Sequence, residues 1–465
     1  MIATTSNDLL FEKIKFNNNE LDSLIINDLI KESSEERERL FNLWERYRGE
    51  VPIKNKTMPD YYKKNNKLWN DFRYQIVQQG IGYFVGNPIG YVFDKTRYSM
   101  EQASTIEETI KIFNRINDIE RLDGVTAEYS AVCGHGARLY YIDKNGILRT
   151  MNLDPWSVIW VQDPTIDRTV FAIVIYQVDY YDIQHKTYEK RWKCELYDDT
   201  TVTYYWEWKK SSFEIDPDES PNPAKHLFNH VPVIKFNNNT LNSSDIYPVE
   251  SLIDAYDLLL SNAQDELDEL RSCYLGITGG SITDDDLRKA RASGVFQSPD
   301  GVTIAFITKN LPTTFYDSQT KKIRDNIFNL SSTLDWTDPV TQGNAESSLA
   351  KKIKFSSLEN KVIQKERNFT KALYDQYVLL TDVWSIKKVP LNPWDMSFIF
   401  IRSIPQDIQY YATAGKTLEG QLSRESILAL FPFVKDPAEE VRKLDGQKVE
   451  QPIDNNIEPE VIWNI

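Results

Sequence analysis

His226 and His230 stand four residues apart, the spacing with which one helix face could hold a metal ion. Pro221 and Pro223 precede them, so the segment reads as a loop, and no convincing partner ligands accompany the pair. Cys133-Gly134-His135-Gly136 could place a thiol nucleophile and a base on one strand face. No third group is placed to orient the imidazole, and a buried cysteine beside a tight glycine turn is the simpler reading. Two acidic runs, Asp198-Asp199 and Asp284-Asp285-Asp286, could attract a cation. The first falls at a strand turn and the second at a helix start, where carboxylates are expected for structural reasons alone. No GxxxxGK[ST] loop occurs, so P-loop ATP hydrolysis is not expected. We therefore assign no catalytic residue, no metal site and no cofactor, and expect a protein that is not an enzyme.

The elements that would position any such groups start with scale and charge. At 465 residues and 41% hydrophobic content, the chain has room for two to four domains with real cores. Its net charge of -15 argues against a basic patch that grips nucleic acid. It is compatible with a wall that surrounds DNA and lets it move, because such a wall makes no deep electrostatic trap. Cys133, Cys194 and Cys273 are scattered, which indicates neither a disulfide framework nor a CxxC site. Met1 to Glu20 is polar and acidic and no run of 18 apolar residues occurs, so neither secretion nor membrane insertion is expected.

Two long amphipathic stretches, Pro248 to Arg271 and about Glu346 to Leu380, read as helices around a short, Gly-broken, strand-like segment. In the first, Val249, Leu252, Ile253, Tyr256, Leu259, Leu260, Ala263, Leu267 and Leu270 recur at three- and four-residue steps. Asp254, Asp257, Asp265, Glu266, Asp268 and Glu269 make its other side strongly negative. Further helices are expected at Leu21–Tyr47, Leu68–Gly80, Ile106–Asn117, Ser318–Leu330, Gln406–Glu419 and Arg424–Leu444. Gly80–Asp94 and Ser211–Lys225 read as irregular. From Ala137 the period changes to two: a hairpin of Arg138–Ile142 and Ile147–Asn152 turns at Asn145-Gly146. Strands follow at Val158–Val161, Val170–Val178, Lys193–Tyr197, Val202–Trp208 and Pro232–Phe236. Trp156, Trp160, Trp192, Trp206 and Trp208 crowd this β-domain; they could stack on sugars, but packing is the better account. Between Ser272 and Tyr316 a small module combines a helix begun by Thr283 with strands around Val295 and at Val302–Ile307. A strand is expected at Met396–Ile401, and a mobile tail after Pro452. The fold class is α+β.

In this order the pieces resemble the portal proteins of tailed bacteriophages, of the siphophage type, over most of the chain. Tyr47-Arg48-Gly49, Asn65-Asn66-Lys67-Leu68-Trp69 and Tyr83-Phe84-Val85-Gly86-Asn87-Pro88-Ile89 resemble the family's opening. Leu153-Asp154-Pro155-Trp156-Ser157-Val158 resembles its P-x-x-V step. The strongest match is Pro232-Val233-Ile234-Lys235-Phe236-Asn237-Asn238-Asn239 leading to Ser251-Leu252-Ile253-Asp254-Ala255-Tyr256-Asp257. Gly343-Asn344-Ala345 with Ala350, Lys351, Leu358, Glu359, Asn360, Lys361 and Lys365-Glu366 forms a second anchor, and Leu422-Ser423-Arg424-Glu425-Ser426 with Asp436-Pro437 a third. Glu346-Ser347-Ser348 stands where the family often has Ser-Gly, and the region after Pro405 is short for it.

The resemblance implies long stem and wing helices, a β-rich wing domain and a small α/β clip, assembled as a ring of about twelve copies. It divides the chain into an N-terminal helical wing part (1–130), a β-rich wing domain (131–245), a stem helix (246–271), the clip (272–317) and a second stem helix (318–333). A channel loop (334–346), a wing helix and strand (347–417) and a short crown (418–465) complete it. It places Gln342, Gly343 and Asn344 in a DNA-facing loop with Lys351 and Lys352, and makes Lys321, Lys322 and Arg324 candidates for channel-facing basic rings. The implied partners are double-stranded DNA passing through without sequence preference, other copies of the chain, the terminase large subunit, scaffold and major capsid protein, and a head-tail adaptor. No membrane is implied. The implied place is the portal vertex of the virion, reached through the host cytoplasm during assembly. Competing readings are a glycan-binding or glycan-hydrolysing protein built on the Trp-rich β-domain, and a ring or filament protein of another secretion or contractile system.

Overall fold

The computed structural model describes residues 23–59, 64–163, 168–182, 186–209, 212–270, 274–280, 283–294, 301, 303–307, 313–335, 348–403, 413, 415–431, 434 and 437–449. Its helices are α1 (Ser23–Glu32), α2 (Ser34–Tyr47), α3 (Phe72–Val85), α4 (Met100–Asn117), α5 (Ile119–Cys133), α6 (Glu250–Leu270), α7 (Asp284–Ser293), α8 (Thr313–Ser331), α9 (Ser348–Ile386), α10 (Arg424–Leu428) and α11 (Pro437–Val449). Its strands are β1 (Gly90–Phe93), β2 (His135–Ile142), β3 (Leu148–Leu153), β4 (Val158–Asp163), β5 (Arg168–Asp182), β6 (Thr187–Tyr197), β7 (Thr201–Lys209), β8 (Ser212–Ile215), β9 (Ala224–Lys225), β10 (Val233–Asn237), β11 (Tyr274–Thr278), β12 (Thr303–Ile307) and β13 (Met396–Ile399). The mixture is the expected α+β class. Two compact units emerge, Met1–Gly80 with Val125–Ala372 and Ile81–Gly124 with Leu373–Ile465.

The β-rich part of the first unit is two sheets laid face to face. One has the order β10-β2-β3, the other β4-β5-β6-β7-β8 with β9 beside β7, all antiparallel. The β2–β3 turn forms because Gly146 takes φ +72° and the Asp143 carboxylate accepts the Asn145 and Ile147 N–H groups at 2.8 and 2.9 Å. That pins Ile142 opposite Leu148, and with it the faces of both strands. Ala137, Leu139 and Val233 meet Trp160, Ala172 and Val174 in the layer between the sheets. The alternate residues Ile173, Ile175 and Leu196 turn to the far side, where Ile26 and Leu29 of α1 cover them. On the outer side of the first sheet Phe236 packs on Phe369 of α9, with ring centroids 4.8 Å apart. The sequence of layers is helix, sheet, sheet, helix, which covers the central part of each sheet on both faces, while the far ends of β5 and β6 stay exposed. Each fully buried Ile or Leu here contributes about 1.5–3 kcal/mol.

Several boundaries differ from the sequence expectation, each for a local reason. Leu21–Tyr47 is two helices that meet at Ser33, whose hydroxyl bonds back to the Ile30 carbonyl at 3.1 Å. The third helix starts at Phe72, not Leu68, because the preceding residues are extended and bonded elsewhere, and it runs on through Gly80 and Gly82 to Val85. Met100 begins α4, fixed by a capping box in which Ser99 and Gln102 exchange side-chain and backbone bonds. The supposed irregular stretch Ser211–Lys225 contributes β8 and β9 to the larger sheet. Strands β5 and β6 run to Asp182 and back from Thr187, well beyond the expected ends. Helix α8 begins at Thr313, inside the range read as the small module, and α9 continues to Ile386. In that module the expected helix is present with its Thr283–Asp286 capping box, and Tyr274–Thr278 pairs with Thr303–Ile307 as an unexpected strand. Val295, most of Gln406–Glu419 and the tail after Pro452 lie outside the described residues.

The second unit is built around aromatic contacts. Phe113 of α4 meets Trp384 of α9 edge-on at 6.0 Å, and Phe84 stacks on Phe400 at 5.3 Å. Strands β1 and β13 pair from Gly90 opposite Ile399 to Phe93 opposite Met396. The buried Asp395 carboxylate accepts from Arg97 at 2.7 Å and from the Tyr98 hydroxyl at 2.6 Å, which closes the loop after β1 onto the start of β13.

Candidate functional site

The strongly negative side read in the sequence of α6 is turned into the chain and not left to solvent. Asp257, Ser261 and Asp265 lie one above another at four-residue steps, and all three are buried. An extended strap, residues 64–70, runs along them. The Asn70 N–H donates to Asp257 at 2.8 Å, the Leu68 N–H to the Ser261 hydroxyl at 3.0 Å, and the Asn66 N–H to Asp265 at 2.7 Å. The register follows from geometry: two residues of extended chain rise about 6.6 Å and four residues of helix about 6.0 Å, so alternate strap N–H groups meet successive turns. Lys56 adds an ion pair to Asp265 at 2.6 Å, and the Asn66 amide reaches Asp268 at 2.9 Å. Burial acts to raise the Asp265 pKa, but the Lys56 and Asn66 donors outweigh it and leave it below the ordinary value. Asp257, bonded to neutral Asn70, is raised by burial instead.

One turn earlier on α6, Glu250 and Asp254 take two guanidinium groups. Arg73, 2% exposed, reaches them at 2.9 and 2.6 Å, and Arg46 at 2.8 and 2.5 Å. Glu250, Asp254 and Asp265 are thus paired with basic groups of the same chain, while Asp257 and Asp268 are held by neutral Asn donors.

The apolar side has the opposite fate. Ile253 and Tyr256 are buried, but Leu267 remains about half exposed. Helix α8 packs antiparallel along this side and leaves a groove of about 490 Å³, walled by Leu260, Ala263, Leu267, Tyr316 and Thr320 and closed at one end by Tyr256 and Arg324. Phe315 and Leu330 of α8 are more than half exposed.

The two helices are rooted in a buried ion cluster. Asp245, just before α6, accepts Lys365 at 2.5 Å and Lys361 at 3.3 Å, both from α9, and the Asn238 amide at 2.9 Å. Lys361 also donates to the Ser331 carbonyl at the end of α8, 3.1 Å away. Burial pushes the Asp245 pKa up, while the two ammonium groups and Asn238 outweigh it and hold it at about 2. Burial pulls the Lys365 ammonium below its ordinary value despite Asp245.

The residues singled out for DNA fall in three groups. Lys321 and Lys322 are exposed on α8 and have no ion-pair partner among the described residues. Arg324 is engaged: its guanidinium bonds both oxygens of Asp335, at 2.7 and 2.6 Å, and lies over the Phe328 ring. Lys351 and Lys352 belong to the first turns of α9, with side chains outside the described set, and Gln342, Gly343 and Asn344 lie outside the described residues.

The residues weighed for chemistry are occupied structurally. The buried Cys133 thiol is pushed up to about 12 by burial and points to the Leu40 carbonyl. His135 bonds the Pro155 carbonyl through one ring nitrogen and is held neutral by burial and by Lys235 nearby. The pair does not form a thiolate and base. A His226 ring nitrogen meets the Asp198 carbonyl at 3.0 Å, and the Asp198 carboxylate caps its own turn through the Thr200 and Thr201 N–H groups. Asp286 serves the α7 cap. No group of three His, Cys, Asp or Glu side chains among the described residues is placed to hold a metal ion, and no helix among them is long and apolar enough to cross a membrane. Sequence reasoning missed the strap and the Asp245 cluster. Asn65-Asn66-Lys67, Asn237-Asn238-Asn239, Lys361 and Lys365 had all stood out as motifs, without a sign of what they touch.

Comparison with known proteins places this architecture. A family model described as phage portal protein, SPP1 Gp6-like, matches residues 26–452. The portal protein of Bacillus phage SPP1 is 22% identical over 410 residues, covering 83% of this chain and 77% of that protein. The portal protein of Clostridium phage phiCD119 is 20% identical over 257 residues, or 52% of this chain and 54% of its own length.

Proposed function

Since this chain belongs to the SPP1 Gp6-like family of phage portal proteins, we propose that copies of it close into a ring of about twelve around a channel for double-stranded DNA. The ring serves packaging and ejection at one capsid vertex of the virion. The observation that carries the ring is the inverted helix α6, whose polar side is buried by its own chain while its apolar side stays open along the α6–α8 groove. An apolar face left open on a soluble surface calls for a neighbour, and a head-to-tail contact that closes on itself covers every copy equally.

In this reading α6 and α8 are the stem, the β11–α7–β12 module is the clip where the terminase large subunit docks, and the sandwich with its flanking helices is the wing. Residues 334–346 form the channel loop and 418–465 the crown. Scaffold, major capsid protein and a head-tail adaptor meet other faces of the ring. With Glu250, Asp254 and Asp265 of α6 paired within the chain, Lys321 and Lys322, and then Lys351, Lys352 and the polar Gln342-Gly343-Asn344 triplet, make intermittent phosphate contacts that do not trap the duplex. Arg324 acts through Asp335 as a brace for the end of α8.

Leu260→Asp tests the groove. It puts a carboxylate in a half-buried position that the monomer can tolerate, so the expected result is an intact circular dichroism spectrum with loss of assembly. Rings that form normally would remove the groove from the interface.

A further inference from the structure

The root of the helix pair holds a second, polar cavity of about 200 Å³, walled by Asn238, Asp245, Ser332, Lys361, Gln364 and Lys365. Its charge is unbalanced. Two ammonium groups face one carboxylate, and Asp245 is the sole acidic residue in the wall. The carboxylate is engaged at both oxygens, one by Asn238 at 2.9 Å and the other by Lys365 and Lys361 at 2.5 and 3.3 Å. Two ammonium groups carry six N–H bonds. Two point at Asp245 and one at the Ser331 carbonyl, so about three have no protein acceptor among the described residues. The Ser332 hydroxyl and the Gln364 amide, both in the wall, also lack a side-chain partner there.

A donor-rich, net-positive pocket asks for an oxyanion, and its volume is many times the ~10–15 Å³ that a single water needs. Access is open, because the Lys361 side chain keeps 17% of its surface and Gln364 is exposed. We propose that this pocket binds a phosphate-class oxyanion, gripped by Lys361 and Lys365 and oriented by Ser332 and Gln364. Bound there, the anion bridges the start of α6, the end of α8 and the middle of α9, and so stiffens the root of the hairpin. The shared chemistry has two sources, free inorganic phosphate and a backbone phosphate of nucleic acid. The site lies within one chain and does not depend on the ring.

The test is equilibrium dialysis of the full chain against radiolabelled inorganic phosphate at fixed ionic strength, with a short DNA duplex as competitor. The expected result is saturable binding of one phosphate per chain, weakened about tenfold or more by Lys361→Gln and several-fold by Ser332→Ala. Lys361→Gln leaves the Asp245–Lys365 pair in place, and thermal unfolding of the variant checks that it folds. Competition by the duplex assigns the site to nucleic-acid phosphate; phosphate binding that the duplex does not disturb assigns it to the free anion. Absence of saturable phosphate binding, or binding that Lys361→Gln leaves unchanged, overturns the proposal.

Discussion

Replacing Asp245 by Asn removes one charge from the centre of the root cluster while keeping its shape. In the native protein Asp245 sits between Lys365 at 2.5 Å and Lys361 at 3.3 Å, and Lys365 is 5% exposed. Without the carboxylate, Lys365 is a buried ammonium with no counter-charge, a situation that typically costs about 3–5 kcal/mol. In a unit of about 330 residues each kcal/mol shifts Tm by about 1.5 °C, so we expect a fall of about 4–7 °C by differential scanning calorimetry at pH 7. The sign with pH is fixed. The folded Asp245 pKa lies near 2, below its unfolded value, so its contribution is complete above about pH 4 and is lost as pH falls towards 2. The gap between native and Asp245→Asn protein should therefore narrow over that window. Adding Lys365→Met to the variant removes the stranded charge and should recover most of the loss. A destabilisation below about 1 kcal/mol, or a double variant worse than the single one by the sum of both, would refute this account of the cluster.

Other consequences are as definite. Lys235 is held near 8 by burial, with Glu36 only partly opposing; Lys235→Met should raise Tm at pH 7, with a gain that shrinks as pH climbs from about 8 through 10.5, above which neither the native nor the unfolded chain holds the proton. Asp265→Ala frees the strap from α6, so limited trypsinolysis should cut after Lys64 and Lys67 several times faster while the β-sandwich stays intact. Gly134→Ala and Gly146→Ala both place a side chain at positive φ, but at Gly134 the new Cβ would lie 2.0 Å from the Asn242 carbonyl, whereas Gly146 faces open space. The first should abolish soluble protein, and the second should cost about 1 kcal/mol by denaturant titration.

How far the sequence told this story varies by element. Helix α6, the β2–β3 hairpin with its Asn-Gly turn and the α7 cap were legible because local chemistry decides them. Strand β8 was hidden among Pro, Ser, Asp and Glu because its pairing with β7, not its composition, makes it a strand. Helix α5, which contains Gly124 and buries Thr126 and Ser130, shows no clean stripe because it is covered on several sides. Periodicity correctly sorted α6 into an apolar and an acidic side. It could not say which side is covered, since the strap that covers the acids lies almost 200 residues earlier. The Asp245 cluster joins residues 116 and 120 apart, a separation at which no local pattern signals contact, and the motifs Asn238 and Lys365 were visible only as strings.

The claim that copies of this chain close into a ring is tested most directly by native mass spectrometry of the purified full-length protein, imaged in parallel by cryo-electron microscopy. Twelve copies of a 54.1 kDa chain predict a particle of about 650 kDa with a central channel and the α6–α8 groove filled by the neighbouring subunit. A monomer at every concentration, or a two-fold dimer with the groove left open, would contradict it.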